Sequence, residues 1–199
     1  SISNKPLISI VTTNLNDELE RTILSVIDQK NENIEFIIKD GGSKKGTIDI
    51  LNYYDNEIDY WVSENDNGIW DGTNKGVILA KGDYIVLLDS GDIFNSNALS
   101  HINSLIKKNP NADFYLGSCL KKRLMHGFRP KDITFNFNIF ASFSGALFAS
   151  KYVYKKIGLY DTRYISSADC DLIYKMIVKH TMLGICGSKN NILSIKPEG

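Results

Sequence analysis

"GDYIVLLDSGDIF" occupies residues 82–94, and its reading decides the fold. Ile85, Val86, Leu87 and Leu88 form a continuous, partly β-branched apolar run that ends abruptly in Asp89, Ser90, Gly91 and Asp92. A short run apolar at every position reads as a strand buried on both faces. Two acids at its end either solvate the strand terminus or supply the hard-oxygen half of a metal site. Magnesium and manganese take oxygen ligands, often one or two carboxylates together with substrate phosphate oxygens.

The same grammar recurs upstream. "LISIVT" (7–12), "IEFIIKD" (34–40) and the shorter "IDYWVS" (58–63) read as strands. Between the first two, Leu19, Ile23, Val26 and Ile27 recur at helical spacing, with Asn14 or Asn16 as a cap. "GIWDGTNKGVILA" (68–80) reads as a helix weakened by Gly72 and Gly76. Downstream, "NALSHINSLIKK" (97–108) is a helix that stops before Pro110, and "ADFYLGS" (112–118) is a strand. A further helix begins near Ser166 or Ser167 and carries Leu172, Ile173, Met176 and Ile177.

This order predicts an α/β domain: a mixed, mostly parallel sheet with helices on both faces, as a single domain over 1–199. In such sheets ligands bind at the carboxyl ends of the strands. That rule places Thr12, Asp40 and Asp89 on one rim, each closing its strand.

Bulk properties narrow the function. Lys+Arg and Asp+Glu number 23 each, so no global field points to nucleic acid. No apolar run approaches the roughly 20 residues of a membrane span, and Ser1 to Pro6 lack a signal-peptide profile. Cys119, Cys170 and Cys186 are odd in number and widely spaced, which fits a reducing compartment. His101, His126 and His180 have no metal-ligand spacing, which argues against a zinc hydrolase or a histidine-based triad.

Three further stretches carry polar chemistry. "IIKDGGSKKGT" (37–47) sets Asp40 before a tight turn. Its carboxylate either projects into the rim crevice to accept from a base N–H, or merely caps the segment after the turn. "SENDNGIWDGTNKG" (63–76) gathers Glu64, Asp66, Asp71, Asn74 and Lys75, either a sugar- and phosphate-binding surface or a polar loop. "YISSADCDLIYKMI" (164–177) puts Asp169 and Asp171 at a helix start, to stabilise the dipole or to serve as a general base. Cys170 between them reads as a packed residue, because adjacent negative charge raises a thiol pKa.

Taken in order, "ISIVTTN", "KDGGSKKGT", "SENDNGIWDGTNKG", "LLDSGD" and "GLYDTRYISSADCDL" resemble glycosyltransferase family 2, nucleotide-sugar enzymes of the GT-A fold. The resemblance runs from Leu7 to about Ile177, and the middle stretches resemble a bacterial surface-polysaccharide subgroup. It implies a nucleotide-sugar-binding half over 1–118 and an acceptor-binding half over 119–199. Asp40 is then expected to read the base of a UDP-sugar, with Thr12 and Thr13 lining the nucleotide pocket. The segment from Asp66 through Asn74 to Lys75 would follow ribose, diphosphate and sugar. Asp89 and Asp92 would hold Mn2+ or Mg2+, and Asp169 would be the catalytic base of a single, inverting displacement onto a glycan or lipid-linked acceptor. The implied location is cytoplasmic, at the inner membrane face, with the basic loop 121–132 as a peripheral membrane contact. Family members often carry further C-terminal helices, which implies a chain trimmed to its catalytic domain.

The chain departs from the family pattern at four places. Thr13 stands where many relatives have tyrosine, and Gly91 takes the third position of the usual D-x-D. Ala168 precedes Asp169 where an acid is frequent, and "ASFSGALF" (141–148) lacks a His-Gln pair. Gly91 and Ala168 favour a rival, a non-catalytic nucleotide-sugar-binding module. A sugar nucleotidyltransferase is the second rival, but "TTNLNDELER" is not the Gly-rich phosphate loop that it requires.

Overall fold

A computed structural model describes residues 7–14, 18–126 and 144–197. Seven strands form the main sheet: β1 (Ile8–Asn14), β2 (Ile34–Asp40), β3 (Tyr60–Ser63), β4 (Tyr84–Leu87), β6 (Phe114–Leu116), β9 (Leu147–Ser150) and β10 (Gly184–Cys186). Their spatial order is β10-β6-β9-β4-β1-β2-β3. All pairs are parallel except those of β9, which runs antiparallel to both β4 and β6. Four shorter strands, β5 (Ile93–Phe94), β7 (Ser118–Leu120), β8 (Leu124–His126) and β11 (Ile192–Ile195), form a smaller sheet in the order β5-β11-β7-β8.

Alternation along the strands sorts the core into two layers. Ile8, Ile10, Phe36, Ile38 and Val86 face one side, where they pack with Leu19, Ile23 and Val26 of α1 (Leu19–Ile27) and with Ile102 and Ile106 of α4 (Ala98–Lys108). Leu51 of α2 (Lys45–Tyr53) joins that layer. Val11, Ile37 and Ile85 face the other side, against Val77 of α3 (Ile69–Leu79) and Val153 of α5 (Lys151–Ile157). Leu172 and Ile173 of α6 (Ala168–Tyr174) complete it, and one π-helical turn, Lys175–Lys179, extends that helix. Helices thus cover both faces, as the sequence order predicts.

α3 lies close over β1 because of Gly76. A Cβ there would collide with Val11 Cγ1. The glycine that weakens the helix by roughly 1 kcal/mol is therefore what lets its backbone approach the sheet.

Several boundaries differ from the sequence reading. The stretch 112–118 is two strands, since the chain leaves the main sheet after Leu116 and enters the small one at Ser118. Part of the basic loop, residues 124–126, pairs with β7 as β8; residues 127–132 lie outside the described residues, as does Asn16. Glu18 holds the N-cap position of α1, and Asn14 is turned toward Asp40 instead.

Candidate active site

The rim formed by the carboxyl ends of β1 to β4 carries the site. Its register aligns Asn14, Asp40 and Ser63 in one row across β1, β2 and β3. Asp40 ends its strand as expected. Thr12, however, lies two residues inside β1, and Asp89 lies two residues beyond β4.

Asp40 is the hub of the rim rather than a group projecting from it. Its side chain is fully buried and accepts five hydrogen bonds. Oδ1 takes Asn14 Nδ2 at 2.7 Å and Ser43 Oγ at 2.6 Å. Oδ2 takes the Gly42 and Ser43 N–H groups at 3.1 and 2.8 Å and Ser63 Oγ at 2.6 Å. Burial alone would raise its pKa, but the bonds from Ser43, Ser63 and Asn14 outweigh it and hold the carboxyl below the usual value. The carboxylate thus caps the turn that follows it and ties three strands together.

Beside it, Lys39 is buried, and its ammonium donates to the carbonyls of Asp40 at 2.6 Å and Glu64 at 2.7 Å. It also lies 3.9 Å from Asp66 Oδ2. This lysine fixes the loop that carries Asp66, whose Oδ1 accepts the Gly68 N–H at 3.0 Å. Sequence reasoning misses Lys39, because the strand reads only through its apolar run and its terminal acid.

Two adjoining cavities open on the rim, and Asp89 lines both. One, of about 240 Å³, is polar and bordered by Thr13, Asn14, Asp66, Asp89 and Lys196. The other, of about 250 Å³, is mainly apolar and bordered by Trp70, Leu87, Asp89, Tyr160, Asp169 and Ile173. Trp70 stacks on Tyr160 with ring centroids 5.1 Å apart, and its buried indole N–H has no protein acceptor. Ser144 accepts the Asp89 N–H at 2.9 Å.

The "DSGD" turn closes through the Asp92 N–H donating to the Asp89 carbonyl at 2.9 Å. Gly91 makes this possible at φ +92°, a conformation costly for any residue with a Cβ. Its N–H donates to Thr22 Oγ1 at 2.9 Å, and Thr22 Oγ1 donates to the Asp92 carbonyl at 2.8 Å. Asp92 is thereby drawn inward to 2% exposure, with Lys196 Nζ 3.8 Å from Oδ1 and, among the described residues, no hydrogen-bond partner on Oδ2.

Burial and the neighbouring Asp92 push the Asp89 carboxyl up to about 6, with Asp169 adding to the repulsion. Asp92 is raised as well, by burial. An orphaned buried carboxylate oxygen beside a second carboxylate is a donor set that fits a hard divalent cation. No cluster of three metal-ligating side chains occurs among the described residues, so phosphate oxygens and water would complete such a shell.

The remaining candidates divide. Asp169 is half-buried and lines the apolar cavity, while Asp171 forms an ion pair with Lys175 at 2.6 Å. Burial and then Asp169 push the Cys170 thiol up to about 11, which fits a packed cysteine. Thr13 faces the polar cavity; Thr12 is buried, its hydroxyl without a partner. Asn74 and Lys75 border neither cavity. The Asn74 amide bonds the backbone of Tyr160, and Lys75 pairs with Asp71 at 3.4 Å and Glu64 at 3.6 Å. Lys196 lies outside every quoted motif, while Trp70 and Tyr160 lie within quoted stretches read only for their polar residues, so sequence reasoning misses all three.

Comparison with known proteins agrees with this layout. The chain is 38% identical over 100 residues to the putative teichuronic acid biosynthesis glycosyltransferase TuaG of Bacillus subtilis (strain 168), covering 48% of this chain and 40% of that protein. It is 27% identical over 176 residues to a PGL/p-HBAD biosynthesis glycosyltransferase of Mycobacterium bovis (strain BCG / Pasteur 1173P2), covering 83% and 68%. Among solved structures, residues 1–349 of S. aureus TarS in complex with UDP-GlcNAc align with a TM-score of 0.71 at 18% identity, over 96% of this chain and 59% of that one. The mannosyltransferase PcManGT of Pyrobaculum calidifontis, in complex with GDP-Man and Mn2+, aligns with a TM-score of 0.71 at 17% identity, over 96% and 56%. The chain thus spans about two fifths of TuaG and under two thirds of either solved chain, and its fold is the GT-A fold. The profile of glycosyl transferase family 2 matches residues 8–177, and the chain belongs to that family.

Proposed function

We propose that the chain transfers a sugar from a UDP-sugar to a hydroxyl of a glycan or lipid-linked acceptor, with inversion at the anomeric carbon. The observation that carries this reading is that Asp89 lines both cavities and shares the second with Asp169. The polar cavity suits a nucleoside diphosphate, and the aromatic-floored one suits a sugar ring and the incoming hydroxyl. The TarS structure with UDP-GlcNAc and the PcManGT structure with GDP-Man supply the precedent for a sugar-nucleotide donor.

Asp89 and Asp92 would hold Mn2+ or Mg2+. Bound there, the cation supplies Lewis-acid neutralisation of the diphosphate leaving group. Asp169 takes the proton of the acceptor hydroxyl as its oxygen forms a bond to the anomeric carbon. The bond from that carbon to the diphosphate oxygen breaks on the opposite face, and UDP departs with the electron pair. Trp70, stacked on Tyr160, would give the sugar an aromatic wall. Asp40 holds the rim on which the base would rest, acting through Asn14, Ser43 and Ser63.

No helix among the described residues is long and apolar enough to cross a membrane. Action in the cytoplasm, with Lys121, Lys122 and Arg123 near an anionic surface, is part of the same proposal.

A thermal-shift panel of UDP, UDP-sugars and GDP-sugars, each with and without Mn2+, tests the donor. A ligand of the folded state raises Tm. A response confined to UDP compounds supports the reading. No response to any of them overturns it, and a response to GDP-sugars alone reassigns the base.

A further inference from the structure

The polar cavity is acidic where it should receive an anion. Asp66 and Asp89 border it, and Asp92 lies beneath. Lys196 lines the same cavity and lies 3.8 Å from Asp92 Oδ1; it follows β11 and is anchored by its N–H donating to the Leu120 carbonyl at 2.8 Å.

We propose that Lys196 is a protein-borne counter-charge for the donor's diphosphate, parked on Asp92 when the nucleotide is absent. This rests on the nucleotide-sugar reading above and extends it to a residue outside every acidic motif. The geometry is that of a weakly held group. Lys196 Nζ stands 3.8 Å from Asp92 Oδ1, beyond hydrogen-bond length. Its side chain is 49% exposed, whereas that of Asp92 is 3% exposed.

A compact ammonium with three donors on a flexible stem can leave Asp92 and meet a phosphate oxygen at the same cavity wall. Lys121 follows Leu120, the β7 residue in register with Ile195, and its charge also favours the ionised forms of Asp89 and Asp92. Lys196 and a divalent cation therefore compete for Asp92 in the empty protein and cooperate on the diphosphate in the loaded one.

Calorimetric titration with UDP and with Mn2+ alone tests this in wild type, Lys196→Met and Lys196→Arg. In EDTA the wild type binds UDP, Lys196→Met binds it about tenfold more weakly, and Lys196→Arg stays within about threefold of wild type. With Mn2+ present the Met variant loses less than it does in EDTA. Mn2+ alone binds Lys196→Met more tightly than wild type by about threefold or more, because the ammonium nearest Asp92 no longer competes for it. A wild-type Tm retained within about 2 °C in the Met variant shows that folding is unaffected.

Equal UDP affinity of wild type and Lys196→Met in EDTA overturns the proposal. So does UDP binding that requires Mn2+ in the wild type, or unchanged Mn2+ affinity in the Met variant. Failure of UDP to bind wild type even with Mn2+ instead removes the donor reading on which the proposal stands.

Discussion

Asn74 and Tyr160 exchange two hydrogen bonds: Asn74 Nδ2 donates to the Tyr160 carbonyl at 2.8 Å, and the Tyr160 N–H donates to Asn74 Oδ1 at 3.0 Å. The asparagine thus acts as a borrowed strand residue, holding a loop 86 positions away against α3. Tyr160 in turn stacks on Trp70 and meets the Tyr154 hydroxyl at 3.2 Å, so one amide positions the floor of the apolar cavity. Asn74→Ala leaves a buried N–H and C=O unpaired, which costs about 2–4 kcal/mol in urea denaturation. UDP affinity by titration stays near wild type, while transfer falls because the floor shifts. Lost UDP affinity with intact stability would restore Asn74 to direct donor binding.

Asp169→Asn keeps the shape of the cavity and removes the base. Transfer to acceptor falls by about 10²–10⁴-fold, while UDP affinity stays within about twofold, since Asp169 borders only the apolar cavity. Unaffected turnover would exclude it as the base and favour a binding module.

The carboxylates of the rim give opposite pH signatures. Asp89 titrates at about 6 in the folded chain against 3.8 for a free carboxyl, because of burial and Asp92. The folded state therefore holds the proton more tightly, and stability contributed at low pH is lost as pH rises from about 4 through 6. Asp89→Asn has no proton to lose. In metal-free buffer it raises stability at pH 7.5 by about 1–2 kcal/mol, a figure discounted for its half-buried position, and the gain vanishes near pH 4. A stability difference independent of pH would show that Asp89 is not strained by Asp92. Asp40 runs the other way. Its folded value lies below 3.8, so its contribution is present above that and lost as pH falls through the lower folded value.

Asp40→Ala removes the acceptor of five bonds donated from two neighbouring strands and a turn. A loss of about 3 kcal/mol or more is expected in denaturation, with a lower Tm even before ligand is added. A variant of wild-type stability that fails only in UDP binding would make Asp40 a base contact instead.

That contrast marks what could be read from the chain. The four rim strands and their helices are legible because Ile10 with Val11, or Phe36 with Ile37, must each bury on opposite faces. Asp40, Asp89 and Asp169 are legible as acids at strand or helix ends. The partners of Asp40 are not, since Asn14 and Ser63 lie 26 and 23 residues away and meet it only through register. Lys39 carries no signal of its own in the sequence, and its burial is possible because two carbonyls and Asp66 satisfy its charge. Lys196 has no local signature at all; only the pairing of β11 with β5 and β7 brings it to the mouth.

Gly91 provides the last test, because the family pattern would place an acid there. The substitution Gly91→Asp restores D-x-D in sequence and conflicts with the fold. At φ +92° a Cβ costs about 1–2 kcal/mol, and it would stand 2.6 Å from Glu18 Oε2. The Glu18 side chain, paired with Arg21 at 2.8 Å, must turn aside to make room. The turn is then expected to open, releasing the Gly91 N–H from Thr22 Oγ1 and letting Asp92 swing out of its buried position. Mn2+ affinity by titration falls or stays level and the Tm drops, although the motif now matches more closely. A Gly91→Asp variant that binds Mn2+ several-fold more tightly at unchanged Tm would show instead that the third position, and not Asp92, is where the cation is held.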